Sequence, residues 1–256
     1  MKIGHLGAVA WVVIGAAATL RAADGTWIAP GGGAWSDTAN WQDQAVAEGS
    51  GATATFAAAG GAAKRAGRKA YSETTVLDAT SQGMALSFTI QKTVSYHDKV
   101  HPVQKTPFGS MTAVVAGDAG WQQSPMGSKD MSADELAEAR EELRTDMLGT
   151  MREPGAFTFQ ALAPQEIEGK SCLPVYVTGV GEDYRIIYFG DQDGLPVMVQ
   201  QPGTSPVSRA PAVQKTYLDE YKAFDGIMMP SRMRLFFDDE EFAKGRTEAF
   251  AVNPKV

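Results

Sequence analysis

The chain has 256 residues, 44% of them hydrophobic, enough to bury the core of one large or two small domains. A net charge of -7 argues against nucleic-acid binding, which requires a basic patch. The single cysteine, Cys172, excludes an internal disulfide and a cysteine-rich zinc site; it is read as a buried thiol with no lipoprotein signature around it.

Met1 to His5 is a short basic start, and Leu6 to Ala18 is apolar. That run is too short to span a membrane and has the size of a signal-peptide core. Ala16 to Ala18, or Leu20 to Ala22, supplies small residues for cleavage. Residues 1–22 are therefore expected to be a signal peptide, and the product to be periplasmic or otherwise exported. Residues 23–59 have a different texture. Trp27, Trp35 and Trp41 sit among Gly, Ser, Thr and Asn in a β-prone segment. Residues 60–69 (GGAAKRAGRK) read as a flexible basic linker, and 70–256 as the globular domain.

Met84, Leu86, Phe88 and Ile90 alternate with small or polar residues, the period of a half-buried strand. His97-Asp98-Lys99 is a turn, and Val100 to Thr106 a second strand. Pro107-Phe108-Gly109 bends the chain into a third strand through Met111, Ala113 and Val115. Gly117 to Gly120 is a turn, followed by an exposed-looking Trp121 and a Pro-Gly loop. Ser132 with Glu135 three residues on makes a capping box. Leu136, Ala139, Leu143, Met147 and Leu148 then follow helical spacing, which predicts a helix from Ser132 to about Thr150. Its acidic residues mark a solvent side, relieved in part by Arg140 and Arg144.

Glu153-Pro154-Gly155 stops the helix. Strands are predicted at 157–161, 171–177, 184–189, 195–200, 215–224, 227–237 and 242–252, joined by turns in chain order. Residues 201–212, with three prolines, read as a flexible excursion. The pattern is α+β, mainly β: one amphipathic helix on a long antiparallel meander.

Enzyme motifs are missing from the sequence. It holds no His-x-x-Glu-His zinc motif, no Gly-x-Ser-x-Gly elbow and no nucleotide-binding loop. Of its three histidines, His97 and His101 stand about 13 Å apart on a strand, too far to share a metal. Asp238 to Glu241 reads as solvated turn charge rather than a calcium site. The chain is expected to be non-enzymatic, with no metal and no cofactor.

Three pieces carry a resemblance. They are Ile167-Glu168-Gly169-Lys170-x-Cys172, Tyr188-Phe189-Gly190-x-x-x-Gly194-Leu195-Pro196-Val197, and Tyr217-x-x-Glu220-Tyr221-Lys222-x-x-Asp225-Gly226-Ile227-x-x-Pro230. With Asp98-Lys99-Val100, Thr106 to Gly109 and Gly117-Asp118-x-Gly120-Trp121 upstream, residues 75 to the end resemble the LolA-like family of periplasmic outer-membrane lipoprotein carriers. Domains of this kind also occur appended to insulinase-like zinc peptidases. Residues 24–59 resemble one unit of an autotransporter-associated β-strand repeat. No second unit follows, so they read as a lone β-ribbon or a remnant.

The resemblance implies a curved antiparallel half-barrel with a helical lid over its concave face. It also implies a hollow that accepts a lipid or acylated peptide, with only transient membrane contact. Candidate hollow and lid residues are Leu86, Phe88 and Ile90, then Met111 and Trp121, then Leu136, Leu143 and Met147 on the helix. Phe157, Ile186, Tyr188, Met228 and Leu235 complete the set, with Phe159, Val175, Val177, Met233 and Phe237 as further walls. The same residues also suit an ordinary core, and the sequence assigns inside or outside to none of them. The dedicated carriers tie the lid shut with an arginine on the early strands. His101 stands in that region here and would make such a contact pH-sensitive near about pH 6. Two other functions stay open: a protein-interaction accessory domain partnering a separate insulinase-like peptidase, and a cell-surface remnant.

Overall fold

The computed structural model describes residues 23–27, 37–46, 52–56, 69–81, 84–96, 98–146, 149–150, 154–180, 183–224, 226–254. The expected signal peptide, most of the basic linker, His97 and Met147 lie outside the described residues. Sixteen strands and one long helix account for most of what is described. No helix among the described residues is long and apolar enough to cross a membrane.

The first two strands are short: β1 (Gly25–Trp27) and β2 (Ala52–Phe56). Next come β3 (Ala70–Ser81), β4 (Met84–Ser95), β5 (Lys99–Thr106), β6 (Gly109–Ala116), β7 (Ala119–Ser124) and β8 (Gly127–Asp130). The helix α1 (Ala133–Thr145) follows. The chain then returns through β9 (Thr158–Ala161), β10 (Gln165–Ile167), β11 (Lys170–Val180), β12 (Asp183–Gly190) and β13 (Pro196–Thr204). It closes with β14 (Pro211–Phe224), β15 (Ile227–Phe237) and β16 (Glu240–Val252).

The strands form one sheet in the order β1-β2-β9-β11-β12-β13-β14-β15-β16-β3-β4-β5-β6-β7-β8, with β10 added on β11. Pairing is antiparallel throughout, except that β1 and β2 run parallel. The sheet is curved and stays open, with β1 at one edge and β8 at the other. Two long-range pairings, β16 with β3 and β2 with β9, tie distant parts of the chain together. Short turns between neighbours in sequence build most of the rest.

Three predicted features differ from the structure. Trp121 is not followed by a loop: it sits in β7, and Pro125-Met126 turns the chain into β8. The helix predicted to about Thr150 is interrupted: α1 ends at Thr145, where Asp146 leaves helical geometry at φ -59 and ψ 161, and Gly149 and Thr150 are again helical. The three prolines of 201–212 do not unravel the chain. β13 runs on to Thr204 and pairs with a β14 that starts at Pro211. Beyond Gln200 the register with β12 ends, so Pro202 falls where one side of the strand is open and a missing N–H costs little.

The N-terminal β-prone segment is not isolated in its described parts. β2 pairs antiparallel with β9, matching Ala52 to Ala161 and Thr53 to Gln160. Trp41 is 1% exposed and packs with Phe157, Ala161, Leu173, Val175, Val177 and Ile187. A second core cluster joins Tyr71, Val94, Val100, Val115 and Phe250 to Leu143 of α1. A third, on the other side of the sheet, holds Cys172, Tyr188, Val197 and Met198. Cys172 is fully buried, as its residue type suggests, and burial pushes its thiol pKa up.

Candidate functional site

Strand parity decides which residues share the face under the helix, since side chains alternate along each strand. Tyr71 pairs with Val94, Val94 with Val100, and Val100 with Val115. These four belong to the cluster that holds Leu143, so their face is the concave one. On β4 that face carries Leu86, Phe88 and Ile90, in register with Ala79, Leu77 and Thr75 of β3. On β6 it carries Met111 and Ala113. On β15 it carries Met229, Met233 and Leu235, the last two opposite Gly245 and Ala243 of β16.

The stripe continues through Thr216 on β14, opposite Leu235, to Val199 on β13 and Ile187 on β12. So it reaches the Trp41 cluster without a change of face. Gly245 forms part of the floor. A Cβ there would collide with Met233 Cγ and lie 2.8 Å from Leu77 Cδ2, so those side chains close over the bare backbone. Leu77, Leu86, Phe88, Ile90, Met233 and Leu235 are only half-buried.

Of the residues proposed from sequence, Leu86, Phe88, Ile90, Met111 and Leu235 share the concave face. Leu136 and Leu143 cover it from α1, and Phe157 lies in the Trp41 cluster. Trp121, Ile186, Tyr188 and Met228 fall on the opposite face. Trp121 pairs with Val114, one step out of phase with Val115. Ile186 and Tyr188 belong with the third cluster. Met228 is one position off Met229 and 47% exposed. The alternation was legible in the sequence, but its phase relative to the lid was not.

The lid is fastened at both ends. At its start, the Glu135 N–H donates to Ser132 Oγ at 3.2 Å, and Glu135 Oε2 accepts from the Ser132 N–H at 2.8 Å. Lys129 Nζ is 2.7 Å from Glu135. That ammonium first, then the bonds with Ser132, holds the carboxyl pKa down at about 2. Gly120 on β7 leaves room for Leu136 and Met131, each of which would meet a Cβ there at 2.7 Å. Arg140 reaches out of the helix to the Gly117 carbonyl and to Asp118. Arg144 donates to the Gly179 carbonyl at 3.0 Å and lies 5.7 Å from the Phe157 ring centre, tying the helix end to β11 and to the residue before β9.

The final fastening is Asp146. Its carboxylate accepts from the Tyr71 hydroxyl at 2.8 Å and the Tyr96 hydroxyl at 3.2 Å. Lys92 Nζ stands 3.7 Å away. The same carboxylate caps the Gly149 N–H. Burial, then the neighbouring Asp146 charge, pushes the Tyr71 phenol pKa up. Glu73, in register with Lys92, has its carboxyl pKa raised by burial, against the lowering effect of the Thr75 hydroxyl and Lys92. Arg185 on β12 donates to Gln201 at 2.9 Å, and its guanidinium pKa is lowered by burial. A polar group therefore lies at the helix end of an otherwise apolar floor.

His101 does not serve the lid. It is exposed and one position out of phase with Val100, on the face away from α1. Asp146, Tyr71 and Tyr96 take the fastening role, and no local sequence signal marks a contact between residues 71, 96 and 146. Asp238 and Asp239 act as turn residues. Asp238 accepts from the Val213 N–H at 2.9 Å, and Asp239 pairs with Lys215 at 2.9 Å. No group of three metal-binding side chains occurs among the described residues.

No family model and no curated protein sequence matches the chain. Solved structures do resemble it. A DUF1329 family protein from Desulfovibrio piger superposes with a TM-score of 0.52 at 8% identity, covering 76% of this chain and 91% of that one. A LolA superfamily protein from Nitrosomonas europaea gives a TM-score of 0.52 at 11% identity, covering 74% and 88%. A putative outer membrane lipoprotein-sorting protein domain from Vibrio parahaemolyticus gives 0.46 at 10% identity, covering 76% and 92%. At these identities the likeness is one of fold: the chain has a LolA-like fold.

Proposed function

We propose that the protein is an exported, non-catalytic carrier that holds a lipid or lipoprotein acyl chain between the concave face and the lid. The observation that carries this reading is the half-buried apolar stripe through Leu77, Phe88, Met233 and Leu235. An isolated core buries such side chains fully. A sheet too curved to fill its own hollow leaves them for another apolar body. Burying an acyl chain there gains roughly 0.8 kcal/mol per methylene. Met233, flexible at its thioether, suits a pocket of variable filling. The LolA-like fold supports a binding role over a catalytic one.

The test is native mass spectrometry of the protein recovered from its exported form, followed by uptake of an added acylated peptide. A one-to-one acyl adduct is expected, and Phe88→Asp is expected to abolish it while leaving the circular dichroism unchanged. Phe88 suits this test better than Leu143, which is 1% exposed and whose loss would unfold the lid. An apo mass with no uptake of added acylated peptide would reject the reading.

A further inference from the structure

One end of the sheet carries the hairpin turns of β5–β6 and β7–β8. Each presents a large apolar side chain to solvent. Phe108 is 72% exposed and Met126 97%. The two turns are the same device built twice. Thr106-Pro107-Phe108-Gly109 and Ser124-Pro125-Met126-Gly127 share the pattern hydroxyl, proline, large apolar, glycine.

In the first, the Phe108 N–H donates to Thr106 Oγ1 at 3.0 Å, and that hydroxyl donates to the Gly109 carbonyl at 3.0 Å. In the second, the Met126 N–H donates to Ser124 Oγ at 3.2 Å, and that hydroxyl donates to the Gly127 carbonyl at 3.5 Å. Gly109 and Gly127 both take φ 131, which L side chains rarely adopt. The two turns also touch, since a Cβ on Gly109 would lie 2.5 Å from Pro125 Cγ. Turns of this build hold Phe108 and Met126 outward side by side instead of folding them onto the sheet.

The surroundings select a partner. Lys105 is exposed beside the first turn and makes no ion pair among the described residues, whereas Lys129 beside the second is paired with Glu135 and followed by Asp130. Apolar points set among hydroxyls with the Lys105 cation beside them match the acyl–headgroup boundary of an anionic bilayer, where a Phe ring gains apolar contact and lysine meets the negative surface potential. Just inside the rim, Met111 is 42% exposed on the concave face. The apolar tips therefore lead into the hollow stripe at its β6 end.

We infer that the paired turns at Phe108 and Met126 form a rim that inserts into the surface of an anionic lipid bilayer. This inference stands whether or not the hollow takes an acyl chain. The test uses the full chain with Met126→Cys carrying an environment-sensitive fluorophore, and vesicles of phosphatidylethanolamine and phosphatidylglycerol that include brominated lipid. The one native cysteine, Cys172, is buried and stays unlabelled.

Bromine quenching of the label and a blue shift are expected. The double variant Phe108→Ser with Met126→Ser should float with vesicles at least about tenfold less than the parent, since two large apolar groups lose their burial. The apolar stretch Leu6 to Ala18 is common to all variants, so the difference and the local quenching report the rim alone. An unquenched label, with parent and double variant floating equally, would overturn the inference. So would light scattering that shows a dimer broken by the double variant, which would assign the rim to a second copy of the chain.

Discussion

At the β9–β12 end of the concave face the contacts are apolar. Trp41, Phe157, Ala161, Val175 and Val177 meet there, each under 10% exposed. At the β3–β6 end Leu143 is as deeply buried as Trp41, but the helix leaves the sheet over a carboxylate held by two phenols and an ammonium. Apolar packing is lost only by exposing its whole area to water. A hydrogen-bonded carboxylate can exchange its partners for water at a small net cost. The first end is held mainly by apolar contacts, and the second adds a polar fastening to the apolar contacts of Leu143. Arg144 bridges the two, stacked on Phe157 and bonded to Gly179.

The largest effect should come from the apolar end. Trp41→Ala is expected to cost about 3–5 kcal/mol, the usual loss for a buried aromatic, read from the shift of a urea unfolding midpoint. A loss below about 1 kcal/mol would mean that the segment 37–46 is not part of the core, and the contrast would fail.

The next effect sharpens the lid end. Asp146→Asn weakens the bonds from Tyr71, Tyr96 and Lys92 and should cost about 1–3 kcal/mol. Amide exchange should accelerate over α1 while β9 and β11 keep their protection. Equal acceleration in both places would show a single cooperative unit. Ser132→Ala is smaller, about 1 kcal/mol, because one capping hydroxyl is lost from an exposed helix start. It should appear as reduced helical signal with the Trp41 end unaffected.

The pH dependence separates two carboxylates at the lid end. The folded-state pKa of Glu135 is lowered to about 2. Its contribution is present above the ordinary glutamate range and is lost as pH falls through that value. Glu73 is shifted the other way, because burial raises its pKa. Its folded form favours the proton, so stability falls as pH rises from the ordinary glutamate range through the raised value. Glu73→Gln should flatten the upper slope and leave the acid slope. A pH–stability curve unchanged by Glu73→Gln would remove Glu73 from the account.

The sequence made the strands and the helix start legible because they rest on local rules. Alternation gave β4, β6 and β15, and Ser132 with Glu135 gave the capping box that the structure contains. The glycine turns gave the order of the meander. The features that were not legible depend on residues far apart in the chain. Trp41 belongs with Val175 only because β2 adds to β9. Asp146 at the helix end is held by tyrosines 75 and 50 residues earlier. Nothing within residues 140–150 announces that.

The chain by itself therefore determined the strand periods, the turns, the amphipathic helix and the lack of enzyme motifs, since each is fixed by neighbours a few residues away. The tertiary structure alone decided the phase of each strand. It placed Phe88 and Leu235 on the face that α1 packs against and put Trp121 and Met228 on the other. A shift of one residue moves every side chain of a strand to the other face, and only pairing across the whole sheet sets that shift.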